Sequence, residues 1–398
     1  MTDFLQEATA LFPYTKSMRR DFHIHPELGF HEIRTGGIVA KELEALGLEV
    51  TKGVGKTGVV ALLEGPKPGP TLLIRFDMDA LPINEDTGAE YASKTPGVMH
   101  ACGHDGHTAI GLTVAKILQN HRADLAGTIK FCFQPSEEGL NGEEVGGNEM
   151  MIRDGVLDGP KVDKTLSMHV WNEQPVGWVG IAGGPVMAGA EVLSIKLTGK
   201  GGHGAAPHLT VDPIVAAAQI VSALQTVVSR NVDPQQSAVV SVTTVHSGTA
   251  FNIIPQEAEL TGTIRTFDLG VRETVLKRVE QISRGVGDSM GCKVQVELKR
   301  ITPAVINNDT MAAQVQQTAR QVLPDLDLHT APYMTMGAED MAFMQEKVPG
   351  CYFFIGSNDH VRHLDYGHHH PKFDFDEAAL IRGAALMAAA AIDVLSAS

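Results

Sequence analysis

Four short apolar runs, at 58–63 (GVVALL), 71–76 (TLLIRF), 128–133 (TIKFCF) and 165–170 (TLSMHV), fill the first half of this chain. Helical patterns precede and separate them, RTGGIVAKELEAL at 34–46 and TAIGLTVAKILQ at 108–119. Strands that are apolar throughout need cover on both faces, so this alternation predicts an α/β fold around a buried sheet with parallel strands. Sites in such sheets collect at the carboxyl ends of the strands. The chain carries its unusual polar residues there: Asp77 and Asp79 after the second run, Gln134 to Glu138 after the third, and His169 within the fourth.

The pattern changes near Gly183-Gly184-Pro185. From Glu191 the strands alternate apolar and polar residues (EVLSIKLTG, SAVVSVTTVHSG, AELTGTIRTF, KVQVELKR), with helices at 212–229 and 269–290 between them. That is the pattern of an antiparallel sheet covered on one face, an α+β module. After Thr302-Pro303 helix and strand patterns return, at 309–322, 339–345 and 351–355, and an Ala-rich helix at 376–395, capped by Asp376, is expected to pack on the sheet. A chain of 398 residues exceeds one ordinary core. The organisation read here is a split domain, 1–184 and 302–398, interrupted by an inserted domain, 185–301.

Composition narrows the function. A net charge of -15 argues against nucleic acid or an anionic membrane as partner. The first residues (MTDFLQEATALFPY) lack the basic and apolar regions of a signal peptide, and no apolar run is read as long enough to cross a bilayer. Four cysteines, at 102, 132, 292 and 351, show no paired spacing, which suits reduced thiols in a cytoplasm.

The segment 102–107, Cys-Gly-His-Asp-Gly-His, opens the helix at 108 and sets a thiol, two imidazoles and a carboxylate side by side. These are ligands for borderline metals such as zinc. In Gln134-Pro135-Ser136-Glu137-Glu138-Gly139, adjacent carboxylates at a strand end repel unless a positive charge is near; a metal lets one ligate and the other handle a proton. His169 sits in an otherwise apolar strand, and His368-His369-His370 precedes Pro371. Adjacent side chains diverge, so the three cannot all be ligands.

In order along nearly the whole chain stand RRDFHIHPELGF, RFDMDALP, HACGHDGHTA, FQPSEEG, MHV, GKGGHGAAPH, FNIIPQEAELTGTIRTFD, GAEDMAFM and HHHPKFDFDE. This ordered set resembles the dinuclear-metal N-acyl amino acid amidohydrolases, the branch with hippurate hydrolases and plant auxin-conjugate hydrolases. The resemblance implies a zinc-aminopeptidase-like catalytic domain with a mostly parallel mixed sheet, and an inserted ferredoxin-like lid or dimerisation domain. It implies two divalent ions per subunit (zinc, manganese, cobalt or nickel) held by Cys102, His104, Glu138, His169 and His369, with Glu137 as general base. Asp79 matches the carboxylate that orients a ligating histidine, and Asp105 and His107 are expected to stand beside the ligands and orient them. His203 matches a histidine that reaches a partner subunit's site and stabilises the oxyanion, in a homodimer or homotetramer, and Asn252 and Arg265 match substrate-binding positions. The implied reaction is hydrolysis of an N-acyl amino acid to a carboxylic acid and a free amino acid. A dipeptidase, a carboxypeptidase or an N-acetyl amino acid precursor deacetylase of the same clan stays open.

Overall fold

The computed structural model describes residues 3–396, and the chain divides into two compact units. The first runs through Val186 and takes up Ile306–Tyr333 and the chain from Asp340 onward; the second comprises Met187–Val305 and Met334–Glu339. No change in composition marks the short second contribution, 334–339.

The first unit is built on an eight-stranded sheet of β1 (Glu49–Val54), β2 (Gly58–Glu64), β3 (Lys67–Asp77), β4 (Ala126–Gln134), β5 (Lys164–Pro175), β6 (Trp178–Gly180), β7 (Asp327–His329) and β8 (Gly350–Asn358). Their order is β1-β2-β4-β3-β5-β8-β6-β7. The central four, β4, β3, β5 and β8, are mutually parallel, while β1, β2 and the β8–β6 pair are antiparallel. The apolar runs account for this: β8 is buried along its whole length and β3 from Thr71 onward. The sheet is mixed and mostly parallel, as the family resemblance implies, and its parallel centre is the part the apolar runs predict.

Five longer helices flank it: α1 (Phe4–Ile24), α2 (Ile33–Ala45), α3 (His104–Asn120), α4 (Asp309–Val322) and α5 (Ala378–Ser396). Helices α3 and α5 pack on the strands and on each other, and α1 covers both. Helix α3 begins four residues before the sequence pattern indicates, so His104 to His107 form its first turn. By length and composition α5 is the one helix among the described residues that qualifies as a membrane span, against the expectation that no run reaches that length. Its small side chains are buried in the core instead, and Asp376 accepts a hydrogen bond from the Ala378 N–H at its start, 2.9 Å.

The second unit has a four-stranded antiparallel sheet in the order 238–247, 257–266, 189–198, 293–302. Helices Pro213–Asn231 and Leu269–Ser289 bury their apolar sides against it around Leu193, Ile195, Leu260, Ile220 and Val279. This βαββαβ order with four antiparallel strands is the ferredoxin-like arrangement.

Candidate active site

The carboxyl ends of β3, β4 and β5 carry the polar residues of the first unit. Chain leaving β3 supplies Asp77 and Asp79, both buried. Chain leaving β4 turns sharply at Ser136 (φ +47) before Glu137 and Glu138. That left-handed conformation costs a non-glycine residue about 1 kcal/mol or more. Glu32 and Gly139 offset it: the Ser136 N–H donates to Glu32 Oε1 at 2.9 Å and its hydroxyl to the Gly139 carbonyl at 2.7 Å. Burial and the neighbouring Asp79 raise the Glu32 carboxyl to about 7.

Helix α3 starts behind Gly103, whose φ of +95 a side chain rarely adopts and whose Cβ would meet Val170 at 2.4 Å. The tight approach seats His104 over β3. Its Nδ1–H donates to the Asp79 carbonyl (3.0 Å), with Asp79 Oδ1 at 3.2 Å. The other carboxylate oxygen of Asp79 accepts from the Glu138 N–H at 3.0 Å. Asp79 therefore fixes a ring and the Glu138 backbone together. His104 Nε2 is buried without a hydrogen-bond partner, and the Glu138 and Glu137 carboxylates lie 3.8 and 3.9 Å from it. Burial opposes charge on this ring, but Asp77, Asp79 and Glu138 outweigh it and raise it to about 10. A ring held at one nitrogen and orphaned at the other, facing carboxylates, is the arrangement of a metal ligand.

The remaining donors converge on the same place. His169 donates from Nδ1 to the Val170 carbonyl (2.5 Å) and points Nε2 at Cys102 Sγ, 3.4 Å away. Burial, with His107 and His368 nearby, keeps His169 neutral. His369, also left-handed (φ +66), donates its N–H to Ala101 and brings Nε2 to 3.2 Å from Glu138 Oε1. Burial pushes the Cys102 thiol up, and Glu138 and Glu137 push it further; a bound cation reverses such a penalty. Five donor sets occur among the described residues, each with its atoms within 4.8 Å of one another: Cys102/His104/His169, Cys102/Glu138/His369 and His104/Glu137/Glu138, and beside them Asp77/His104/His107 and Glu137/Glu339/Asp340. The thiol is common to the first two. These residues fit divalent metal.

Other polar residues are spoken for. His107 accepts from the Val170 N–H at Nε2 (2.9 Å), which puts its proton on Nδ1, and Nδ1–H donates to Asp77 Oδ1 (2.6 Å). Both nitrogens are spent tying β3 to β5. Asp77 also accepts from Arg75, 2.6 Å, and the buried Arg75 joins Gln134 (2.8 Å) and Asp340 (3.0 Å). Asp105 points away from the donor sets and accepts from Arg19 (2.9 Å) and His23 (2.8 Å); Arg19 reaches on to Asp374 (2.6 Å). Sequence reasoning missed Arg19, Arg75 and Asp340 as supports. A charged residue in the middle of TLLIRF was the available signal for Arg75.

The second unit holds His203, Asn252 and Arg265. His203 is exposed, in a two-residue strand paired with Ile253, and accepts the Ala205 N–H at Nδ1, 3.0 Å. Asn252, also exposed, follows the fully exposed Phe251. Arg265 is partly buried on strand 257–266 and donates to Thr263 and the Ile264 carbonyl.

Residues 73–393 match the model of peptidase family M20/M25/M40. An N-acyl-L-amino acid amidohydrolase of Geobacillus stearothermophilus is 46% identical over 73% of this chain and 77% of its own. An N-acetylcysteine deacetylase of Bacillus subtilis is 40% identical over 95% and 96%. The crystal structure of the YXEP protein of Bacillus subtilis, described as a dinuclear metal-binding peptidase of the M20 family, superposes with a TM-score of 0.84 at 36% identity, covering 98% of this chain and 100% of that one. Fold, donor cluster and relatives together define a metal-dependent hydrolase of amide bonds. The chain belongs to the M20/M25/M40 peptidase family.

Proposed function

We propose that this hydrolase cleaves the amide bond of N-acyl amino acids to a carboxylic acid and a free amino acid. The observation that carries the reading is Glu137 beside two donor sets that share Cys102. The named activity of the Geobacillus relative supports the acyl amino acid as substrate. In this reading Cys102, His104, Glu138, His169 and His369 hold two divalent ions, zinc, manganese, cobalt or nickel. Such ions, when bound, supply Lewis acidity that polarises a carbonyl and acidifies water. Glu137 takes the proton of the attacking water and delivers it to the departing amine. Asp79 keeps His104 in the tautomer that presents Nε2.

The second unit serves as lid and dimerisation domain, and His203 stabilises the oxyanion from a partner subunit in a homodimer or homotetramer. Asn252 and Arg265 receive the substrate's free carboxylate. Four free cysteines fit a cytoplasmic enzyme. A second reading, an N-acetyl amino acid deacetylase, draws on the Bacillus relative; a dipeptidase or carboxypeptidase is the further alternative within the clan.

Chelator-stripped protein, reloaded with zinc, manganese, cobalt or nickel in turn, is assayed on benzoyl, acetyl, long-chain and indolyl amino acids and on dipeptides. Metal-restored cleavage of several acyl amino acids is expected. Cleavage of the acetyl compounds alone selects the deacetylase, and cleavage of dipeptides alone overturns the proposal in favour of a peptidase.

A further inference from the structure

Three consecutive histidines leave the loop before Pro371 in three directions. His369 turns to Glu138, while His370 stacks on Tyr366 (4.6 Å between centroids) and accepts the Lys372 N–H at Nδ1. His368 is folded back under the donor sets. Its ring lies between Trp171 and Phe373, each 5.0 Å away and within 35° of coplanar, and meets His169 edge-on at 5.0 Å. Its Nε2 accepts the Asn172 N–H at 3.2 Å, so the ring proton sits on Nδ1. Nδ1 faces Cys102, with Sγ at a long 3.9 Å and the backbone of the same residue also a hydrogen-bond partner of the ring.

Neither nitrogen of His368 is available to a metal in this arrangement. We propose that His368 is a positioning residue for the thiolate: its Nδ1–H donates to Cys102 Sγ, aims the sulfur between the two donor sets and withdraws electron density from it. The packing explains why this histidine can do so. Two neighbouring aromatic rings and a backbone donor on β5 hold the ring with Nδ1 toward Cys102. Hydrogen bonds to a ligating sulfur weaken its donation to the metal and so tune the centre. The inference rests on the reading of Cys102 as a metal ligand.

The test is the electronic absorption of the cobalt(II)-loaded enzyme, with cobalt affinity measured by calorimetry. Wild type is expected to show a thiolate-to-cobalt charge-transfer band that Cys102→Ser abolishes. His368→Phe, which keeps a flat ring in the stack, should move that band to lower energy because the freed sulfur donates more strongly, while the loss of its aim outweighs this gain and weakens cobalt binding about tenfold or more. His368→Gln, which restores an N–H donor, should return both toward wild type. Gln and Met differ little in volume and differ in the donor, so His368→Gln against His368→Met carries the comparison should the Phe variant fail to fold. A band and affinity unmoved in the Phe or Met variant overturn the proposal while leaving Cys102 a ligand. A wild-type band that persists in Cys102→Ser, or no band at all, overturns the ligand reading and this inference with it.

Discussion

Glu137 and Glu138 are chain neighbours with different surroundings. Glu138 is fixed through its own N–H on Asp79 and faces His369, whereas Glu137 lies 3.9 Å from His104 Nε2 and near Glu339 and Asp340. If Glu137 moves the proton, Glu137→Gln retains fold and metal while kcat drops by about 10²–10⁴. Steady-state kinetics beside metal analysis checks this, and a near wild-type kcat removes Glu137 from the role. His23 gives a stability prediction. Burial works against its charge, but the bond to Asp105 and that carboxylate's field prevail, and it is raised to about 9. An unfolded histidine titrates near ~6.5, so its stabilisation is full below that pH and is lost as pH climbs through 9. The shift corresponds to on the order of 3 kcal/mol. Thermal melts from pH 6 to 10 should show wild type losing stability that His23→Gln loses far less of; parallel curves refute the assignment. Cys102, His104, Glu138 and His369 stood out as candidates because they sit in short dense motifs, and His169 because it interrupts an apolar strand. Arg19, Asp105 and Asp374 were not legible as a unit, because they meet only after α1, α3 and the approach to α5 have packed.

The elements were readable where burial is total. The runs that build β3, β4, β5 and β8 announce themselves as unbroken apolar stretches. Helix α1 and strand β1 escaped. The buried side of α1 carries Thr15, Arg19 and His23 beside Ala8 and Phe22, so no apolar stripe marks it, and β1 is largely exposed on the edge of the sheet. Close packing of α3 on the sheet is set by Gly111, where an added Cβ would lie 2.6 Å from the Phe76 ring and 2.8 Å from the Phe133 ring. Alanine is the better helix former by about 1 kcal/mol, yet overpacking costs about 1–3 kcal/mol. Gly111→Ala is therefore expected to destabilise by about 1 kcal/mol net and to shift the helix that carries His104. Denaturant unfolding and metal affinity measured on the same variant check both parts; a variant more stable than wild type with unchanged affinity contradicts them.

At the scale of the whole molecule the question is how many chains make a site. The proposed role of His203 in a neighbour's reaction predicts complementation. His203→Ala and Glu137→Gln are each nearly inactive alone. Unfolded together and refolded, they should recover part of the activity, since a mixed dimer pairs one intact Glu137 with one intact His203 from the other chain. No recovery, with mixed dimers demonstrated by mass, places His203 in its own chain's reaction.

Strand order also dictates when this enzyme comes into being. Strand β8, from residues 350–358, lies between β5 and β6, which were synthesised far earlier, and His369 follows β8. On the ribosome, therefore, β5 and β6 wait as unfilled edges flanking a missing strand. Such edges invite pairing with other chains. A nascent chain stalled short of residue 350 thus lacks His369 and presents sticky edges. A centre that uses His369 is assembled only after the strand at 350–358 has been made and has paired with β5 and β6.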